Sequence, residues 1–224
     1  MSTIVLSPPV RNGLAVGVGV GLSGFAFGSA GVTAGLSVAQ TCALSLAAFT
    51  GASQFAFAGV FASGGSLLAG TAGALLLGAR NTLYGLRLAD HLAWRGGKRA
   101  LAAHGVIDET AAVSIGYRSR GEARLAFLTT AVTLYVLWNA TTFAGALATG
   151  QVTDPAVLGL DAVGPAVFLA LIWPRLQDGG RERVVALLAV LIAIATVPLL
   201  PAGLPVLLAA AATFAVFLRR GAGS

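Results

Sequence analysis

The chain has 224 residues, of which 57% are hydrophobic and only 10% are charged, and its formal net charge is +6. Since an average soluble domain carries about a quarter charged residues, this composition excludes a soluble fold and predicts a protein that lies in lipid. The 30 glycines and eight prolines are typical of a polytopic helical membrane protein, and the single cysteine, Cys42, excludes a disulfide framework.

The first part of the chain is predicted to cross the membrane three times. Residues 12–79 contain no Asp, Glu, Lys or Arg, and one helical crossing needs about 20 residues. Stretches of small residues separate the crossings. The spans are predicted near 12–30, 37–61 and 66–86.

A polar segment, 87–124, follows and is predicted to be cytoplasmic. Beyond it, uncharged runs predict spans at 125–149 and 156–174. The last apolar run has three prolines in its middle, and proline interrupts helical hydrogen bonding, so this run is predicted to form two short spans. They lie at 184–200 and 203–218, which makes an all-α protein of about seven spans.

The basic residues predict the orientation. Twelve of the 14 Lys and Arg flank spans on one side, which the positive-inside rule makes cytoplasmic, together with the C-terminus. The net charge therefore reflects membrane orientation and gives no support to nucleic-acid binding. Arg11 does not fit this orientation, because seven spans place it on the outer side of the membrane. A re-entrant 28–64 region is the alternative, and it would bring Arg11 inside.

Small residues recur at a spacing of four in the first and third predicted spans. They are Gly17 and Gly21, Gly24 and Gly28, and Gly70, Ala74 and Gly78. Such ridges let helices approach closely, so they predict tight helix packing and need no ligand to explain them.

The string Gly51-Ala52-Ser53-Gln54-Phe55 places an amide deep in an uncharged span. An unpartnered amide there costs several kcal/mol on hydrocarbon-like scales. One interpretation is an unwound turn that lines a cavity, as in transporters with broken helices. The other is an interhelical hydrogen bond made by Gln54. The sequence leaves both open.

Arg80 is the one basic residue after Arg11 that falls inside a predicted span, about 10 Å deep by the helical rise from Arg87. It could snorkel to the interface. Its spacing with Tyr84 and Arg87 favours instead a stripe that faces an aqueous vestibule, with Arg80 binding a carboxylate. Because the first 89 residues contain no acid, Asp161 or a ligand is predicted to be its partner.

The acids and histidines are few. Asp161 lies among Gly and Pro in the fifth predicted span and could accept protons or pair with a substrate amine, or simply lie near the outer interface. Asp108, followed by Glu109, is expected to be a helix N-cap. His91 and His104 lack metal-ligand spacing. With no catalytic motif or metal cluster, neither an enzyme nor a bound cofactor is expected.

At these residues the sequence resembles the AzlC family over nearly its whole length, and the Gly-Ala-Ser-Gln-Phe string is the most specific part. The resemblance rests on Gly35-Leu36-Ser37, Ser45, Gly51 to Phe55, Arg80 with Leu83-Tyr84-Gly85, Asp108-Glu109, Trp138-Asn139, Gly145, and Gly159-Leu160-Asp161 with Pro165. Two positions depart from the family pattern. Gly78 stands where an asparagine is expected, with Asn81 after the arginine instead, and Leu44 replaces a methionine.

The resemblance implies the large subunit of a bacterial exporter for branched-chain amino acids (Leu, Ile and Val), and for methionine in some members. It also implies a small AzlD-type membrane subunit as partner, location in the plasma (inner) membrane, and secondary transport driven by the proton gradient.

The sequence therefore predicts a transporter subunit with a site in the middle of the membrane. Gly51, Ala52, Ser53 and Gln54 would supply backbone groups and an amide, and Phe55 and Phe57 an apolar pocket. Arg80, Asn81 and Tyr84 complete the predicted substrate site, and the predicted coupling or gating residues are Asp108, Glu109, Asn139 and Asp161. The alternatives are a membrane anchor or assembly subunit without its own site, and a membrane-embedded enzyme.

Overall fold

The structure is a computed structural model, and it describes residues 6–151 and 179–200 together with isolated positions at 169, 173, 176, 177, 205, 208 and 209. These residues form helices and connections, with no strand among them. The helices are α1 (Pro8–Gly21), α2 (Gly24–Thr33), α3 (Val38–Ala47), α4 (Gly51–Ala62), α5 (Leu67–Gly78), α6 (Arg80–Leu92), α7 (Gly96–His104), α8 (Asp108–Ile115), α9 (Arg120–Gly150) and α10 (Gly180–Thr196).

Two helical stretches are long and apolar enough to cross a membrane. They are Pro8–Thr33, which joins α1 and α2 across a short turn, and Arg120–Gly150, which is α9. An all-helical chain is thus confirmed for the described part, but seven spans are not. Most of the predicted spans 156–174 and 203–218 lies outside the described residues.

The α1–α2 stretch packs along α9 through its glycine ridge. A Cβ atom at Gly17 would lie 2.8 Å from the Cβ of Thr133, and one at Gly21 would lie 2.7 Å from that of Leu137. At Gly28 an added Cβ would collide with the carbonyl of Thr142 in the backbone of α9. The predicted role of this ridge in close helix packing is therefore confirmed, since only glycine allows the two helices to approach this far.

Each of the next two predicted spans is broken. The 37–61 span divides into α3 and α4 at residues 48–50, and the 66–86 span divides into α5 and α6 at Ala79. The side chains of Ser37 and Ser66 accept hydrogen bonds from the first turns of α3 and α5, which fixes where these helices begin. The helices on either side of a break have 10–13 residues, so none of them alone spans a bilayer.

The predicted cytoplasmic segment, 87–124, contains a helical hairpin that packs into the bundle. From Arg95, α7 runs toward Gly105, where an added Cβ would meet Ala131 at 3.3 Å. Its partner α8 returns toward Tyr117, whose hydroxyl accepts a 2.9 Å hydrogen bond from Asn12 near the start of α1. The tip of the hairpin is therefore level with the middle third of α9, about 16 Å along the helix from Arg120. The side of the membrane that the segment faces stays a prediction.

Candidate functional site

The break between α3 and α4 is closed by Gln54, which is fully buried. Its Nε2 donates hydrogen bonds to the carbonyls of Ala48 (2.6 Å) and Ser45 (3.4 Å), and its Oε1 accepts one from Nε1 of Trp138 (3.0 Å). Both interpretations of this segment are therefore partly correct. The helix breaks at 48–50, just before the predicted residues, and Gln54 also bonds to another helix. Its amide is occupied, so it is not free for a ligand.

The neighbours of Gln54 have structural roles as well. Gly51 lies against the indole of Trp138, whose Cη2 would be 2.8 Å from an added Cβ. Phe55 is 2% exposed and makes an edge contact with Phe27, with the ring centroids 5.5 Å apart. Phe57 packs at the face of Gly70, toward α5. The predicted apolar pocket of Phe55 and Phe57 is wrong for Phe55, because that ring belongs to the packed core.

Asn139, predicted to act in coupling or gating, joins α3 to α9. Its Oδ1 accepts a 2.8 Å hydrogen bond from the Ser45 hydroxyl, and its Nδ2 donates to the carbonyl of Tyr135, also at 2.8 Å. The amide thus has a partner on each side. These bonds give Asn139 a structural role in the described part of the chain.

The break between α5 and α6 carries an ion pair. Nη1 of Arg80, the first residue of α6, lies 3.0 Å from Oδ2 of Asp108, the first residue of α8. Each side chain is 30% exposed. The sequence predicted Asp161 or a ligand as the partner of Arg80 and did not consider Asp108, which the hairpin brings to it. Asp161 itself lies outside the described residues.

Asp108 is also not the N-cap that the sequence predicted. Ile107 occupies the cap position, and its N–H donates a 3.1 Å hydrogen bond to the Thr110 hydroxyl. Asp108 is thus free of capping and available to Arg80. Since Ile107 belongs to an apolar cluster with Leu134 and Trp138, the ion pair lies near the level of the middle of α9.

Several polar atoms around this ion pair are buried without a hydrogen-bond partner among the described residues. They are Nε of Arg80, Oδ1 of Asp108, Oδ1 of Asn81 and Oγ of Ser53. Ser53 reaches the break from α4, because a Cβ at Gly78 would lie 3.2 Å from its Oγ. Buried polar groups are almost always paired, so these unpaired donors and acceptors make the α5–α6 break the candidate functional site.

Glu109 follows Asp108 in α8, outside the two helices that are long enough to span. It is half-buried. Burial raises the pKa of the Glu109 carboxyl above its usual range; the neighbouring Asp108 adds to the shift, and Arg80 opposes it.

The predicted stripe of Arg80, Tyr84 and Arg87 facing an aqueous vestibule is wrong for Tyr84. Tyr84 packs against the apolar cluster of Leu88 and Phe127, and Arg87 is exposed. The two histidines have structural contacts: His91 Nε2 lies 3.1 Å from the carbonyl of Ser114, and the His104 ring contacts Phe49 and Tyr135. Among the described residues, no group of three or more His, Cys, Asp or Glu could hold a metal ion.

Asp108 is the site residue whose role the sequence reasoning missed. A charged side chain in an apolar span needs an opposite charge, and the chain has only eight acids to choose from. Asp108 directly follows the apolar pair Val106-Ile107, which was the available signal that this segment does not remain in water.

Among the described residues, broken helices meet around an ion pair beside two apolar helices long enough to cross a bilayer, as in a helical membrane protein. The particular family follows from comparison with known proteins. This chain belongs to the AzlC family, since the family model described as AzlC protein matches residues 15–152, more than half of its length. That family is associated with branched-chain amino acid transport. Comparisons with curated proteins and with solved structures found no match.

Proposed function

We propose that this chain is a secondary-transporter subunit that exports branched-chain or similar small neutral amino acids, driven by the proton gradient. The observation that carries the proposal is the Arg80–Asp108 pair at the α5–α6 break, with unpaired donor and acceptor atoms around it. Family membership supports the substrate class.

An α-amino acid is complementary to this arrangement. Its carboxylate would accept hydrogen bonds from the Arg80 guanidinium, which can bind a carboxylate through two parallel N–H groups. Its ammonium group would donate to Asp108, whose Oδ1 is unpaired. A zwitterion that enters between the two side chains replaces one ion pair by two. Neither charge is then left unpaired in a low-dielectric place, which would be strongly unfavourable.

The same exchange gives a reason for the ion pair itself. An isolated guanidinium at this level would be costly, and Asp108 occupies the place of the substrate carboxylate until a substrate arrives. Asn81 and Ser53 lie beside the pair and have unpaired oxygen atoms. In this proposal they orient the substrate and select against groups that cannot form hydrogen bonds with them.

Glu109 is the proposed proton carrier. A carboxyl that is partly removed from water and adjacent to Asp108 binds a proton more readily than one in water. When the substrate carboxylate binds Arg80 and its ammonium group binds Asp108, the charges beside Glu109 are rearranged, and in this proposal that rearrangement links proton release to substrate binding. Asp161 remains a second candidate, outside the described residues.

The small AzlD-like subunit is also proposed as a partner. Several leucines of α5 and α6 are strongly exposed, which supports contact with lipid or with another membrane chain. They are Leu67, Leu68, Leu75, Leu83 and Leu86. Cells that express this chain without such a subunit are then expected to export poorly.

The test is amino-acid efflux from cells preloaded with leucine-containing dipeptides, comparing cells with the wild-type chain and its partner to cells with variants. Arg80→Lys keeps the charge but loses the planar fork, and Arg80→Gln loses the charge. Both are expected to lower efflux at least about tenfold while the membrane level of the protein stays normal. Wild-type efflux from Arg80→Lys would contradict the carboxylate role. Unchanged efflux from both variants would favour an anchor subunit without its own site.

A further inference from the structure

A groove of about 400 Å³ runs between α6 and α7. Along α6 it is lined by Asn81, Gly85, Ala89 and Leu92, which lie on one face of the helix at spacings of three and four. From Asn81 to Leu92 this face is about 16 Å long, roughly half the thickness of a bilayer core. None of the residues of α7 is buried, so the groove is covered lightly on that side.

The two ends of the groove are polar, and the walls between them are apolar. Its inner end is Asn81, which follows Arg80 directly and has a buried, unpaired Oδ1. At the outer end lies the exposed Arg99, near the place where Arg124 donates hydrogen bonds to the carbonyls of Leu92 and Ala93. The groove thus leads from the basic end of the bundle to Asn81, the residue that follows Arg80 in the chain.

We propose that this groove is the path by which the amino acid enters from the cytoplasm and reaches the Arg80–Asp108 pair. The inference rests on the proposed function. Arg99 would attract the substrate carboxylate at the mouth, because a basic group at the edge of a cleft raises the local concentration of anionic groups. The apolar walls suit a short aliphatic side chain, and Asn81 accepts a hydrogen bond from the ammonium group at the inner end before that group reaches Asp108.

A lipid chain is a poorer occupant, because it would leave the buried oxygen of Asn81 unpaired. The opposite side of α7 provides a comparison within the same molecule. There, a second groove of about 560 Å³ between α7 and α9 is lined by Lys98 and Leu101 with Leu128 and Val132. Asn81, the neighbour of Arg80, does not line it, so it is not expected to carry the substrate.

Thiol labelling tests the path directly. In a Cys42→Ser background, Gly85→Cys and Ala89→Cys place a thiol in the groove; at Gly85 the nearest atom to an added Cβ is 4.0 Å away, so the side chain fits. Leu83→Cys, on the opposite face of α6 and 68% exposed, is the control. Each variant is treated with a membrane-impermeant methanethiosulfonate in inside-out vesicles and in right-side-out spheroplasts, with and without leucine.

The expected result is fast labelling of Gly85→Cys and Ala89→Cys in inside-out vesicles, slowed at least about threefold by leucine, with little labelling of Leu83→Cys. Labelling only from the outside, or no labelling of either groove cysteine in protein of normal yield, would overturn the proposal. So would labelling that leucine does not slow. Protection by leucine without any net efflux would retain the path and contradict the proposed export instead.

Two neighbouring basic residues, Arg99 and Lys98, provide a matched pair of variants for a second test. Arg99→Glu reverses the charge at the mouth of the groove, and Lys98→Glu makes the same change on the other side of α7. Arg99→Glu is expected to raise the KM for leucine efflux at least about threefold with little change in the maximal rate, whereas Lys98→Glu leaves KM unchanged. Equal effects of the two variants would show a general field effect and contradict the assignment of this groove.

Discussion

The two halves of the described bundle are built differently. Where α1 and α2 meet α9, glycines allow backbone contact and a Thr141 hydroxyl donates to the carbonyl of Gly21 at 2.7 Å. Where α5, α6 and α8 meet, the helices are short, an ion pair joins their ends, and buried polar atoms lack partners. The first region has the closeness expected of a scaffold, although the hydroxyls of Thr33 and Thr149 are buried there without partners as well. What distinguishes the second region is that both members of a charged pair have unpaired atoms, which is expected of a site.

The largest expected effect belongs to the scaffold. Gly28→Ala would place a Cβ against the carbonyl of Thr142, so the helices must separate, at a cost of about 1–3 kcal/mol or more. Gly19→Ala is the matched control, since no atom lies within 4 Å of an added Cβ there. We expect Gly28→Ala to lower both membrane yield and the Tm in detergent, and Gly19→Ala to lower neither. If the two variants had the same membrane yield and the same Tm, the close packing of α2 on α9 would be contradicted.

The two glutamines of the α3–α4 region give the next comparison. Gln54→Leu removes the hydrogen-bond partner of Trp138 Nε1 and of two backbone carbonyls, at a total cost of about 1–3 kcal/mol. Gln40 is exposed and completes only the capping box with Ser37, so Gln40→Ala should cost about 1 kcal/mol. The Tm values of the two purified variants show which of them loses more stability. A larger loss for Gln40→Ala would contradict the structural role assigned to Gln54.

A smaller effect is expected at Glu109, in the site. Its pKa is raised from the model-compound value of 4.5, so above that pH the folded state binds more protons than the unfolded state. Stability should therefore fall as the pH rises through the window between 4.5 and the raised pKa. Glu109→Gln should flatten this dependence of Tm on pH, and Glu122→Gln, at an exposed position on α9, should not. If the dependence of Tm on pH were the same in Glu109→Gln as in the wild-type protein, the role of Glu109 as proton carrier would be contradicted.

The scaffold could be predicted from sequence better than the site. The 125–149 span falls inside α9, and the glycine spacing indicated the ridge, because both follow from local periodicity. The site depends on where the hairpin folds. The basic residues of the 87–124 segment predicted that the hairpin lies outside the membrane. In the structure, the apolar turn at Val106-Ile107 carries Asp108 into the bundle. Which acid meets Arg80 is decided by packing over 28 positions, and no local pattern shows it.

Because a local pattern does not show which distant residues meet, the sequence also left the partners of Gln54 open. The cost of a buried amide correctly indicated that it must have partners, but the sequence could not show whether they belong to a ligand or to the chain. The structure provides these partners at Ala48, Ser45 and Trp138. The unpaired atoms lie instead one helix break further along the chain, around Arg80.

The central claim is that Arg80 and Asp108 separate to hold the two charges of one amino acid. The most direct measurement is the Tm of the purified protein titrated with leucine, with its deaminated analogue isocaproate, and with its decarboxylated analogue isoamylamine. Leucine is expected to raise the Tm at concentrations at least about tenfold lower than either analogue, and Asp108→Asn should abolish its advantage over isocaproate. Stabilisation of the wild-type protein by isocaproate and leucine at equal concentrations would contradict the account.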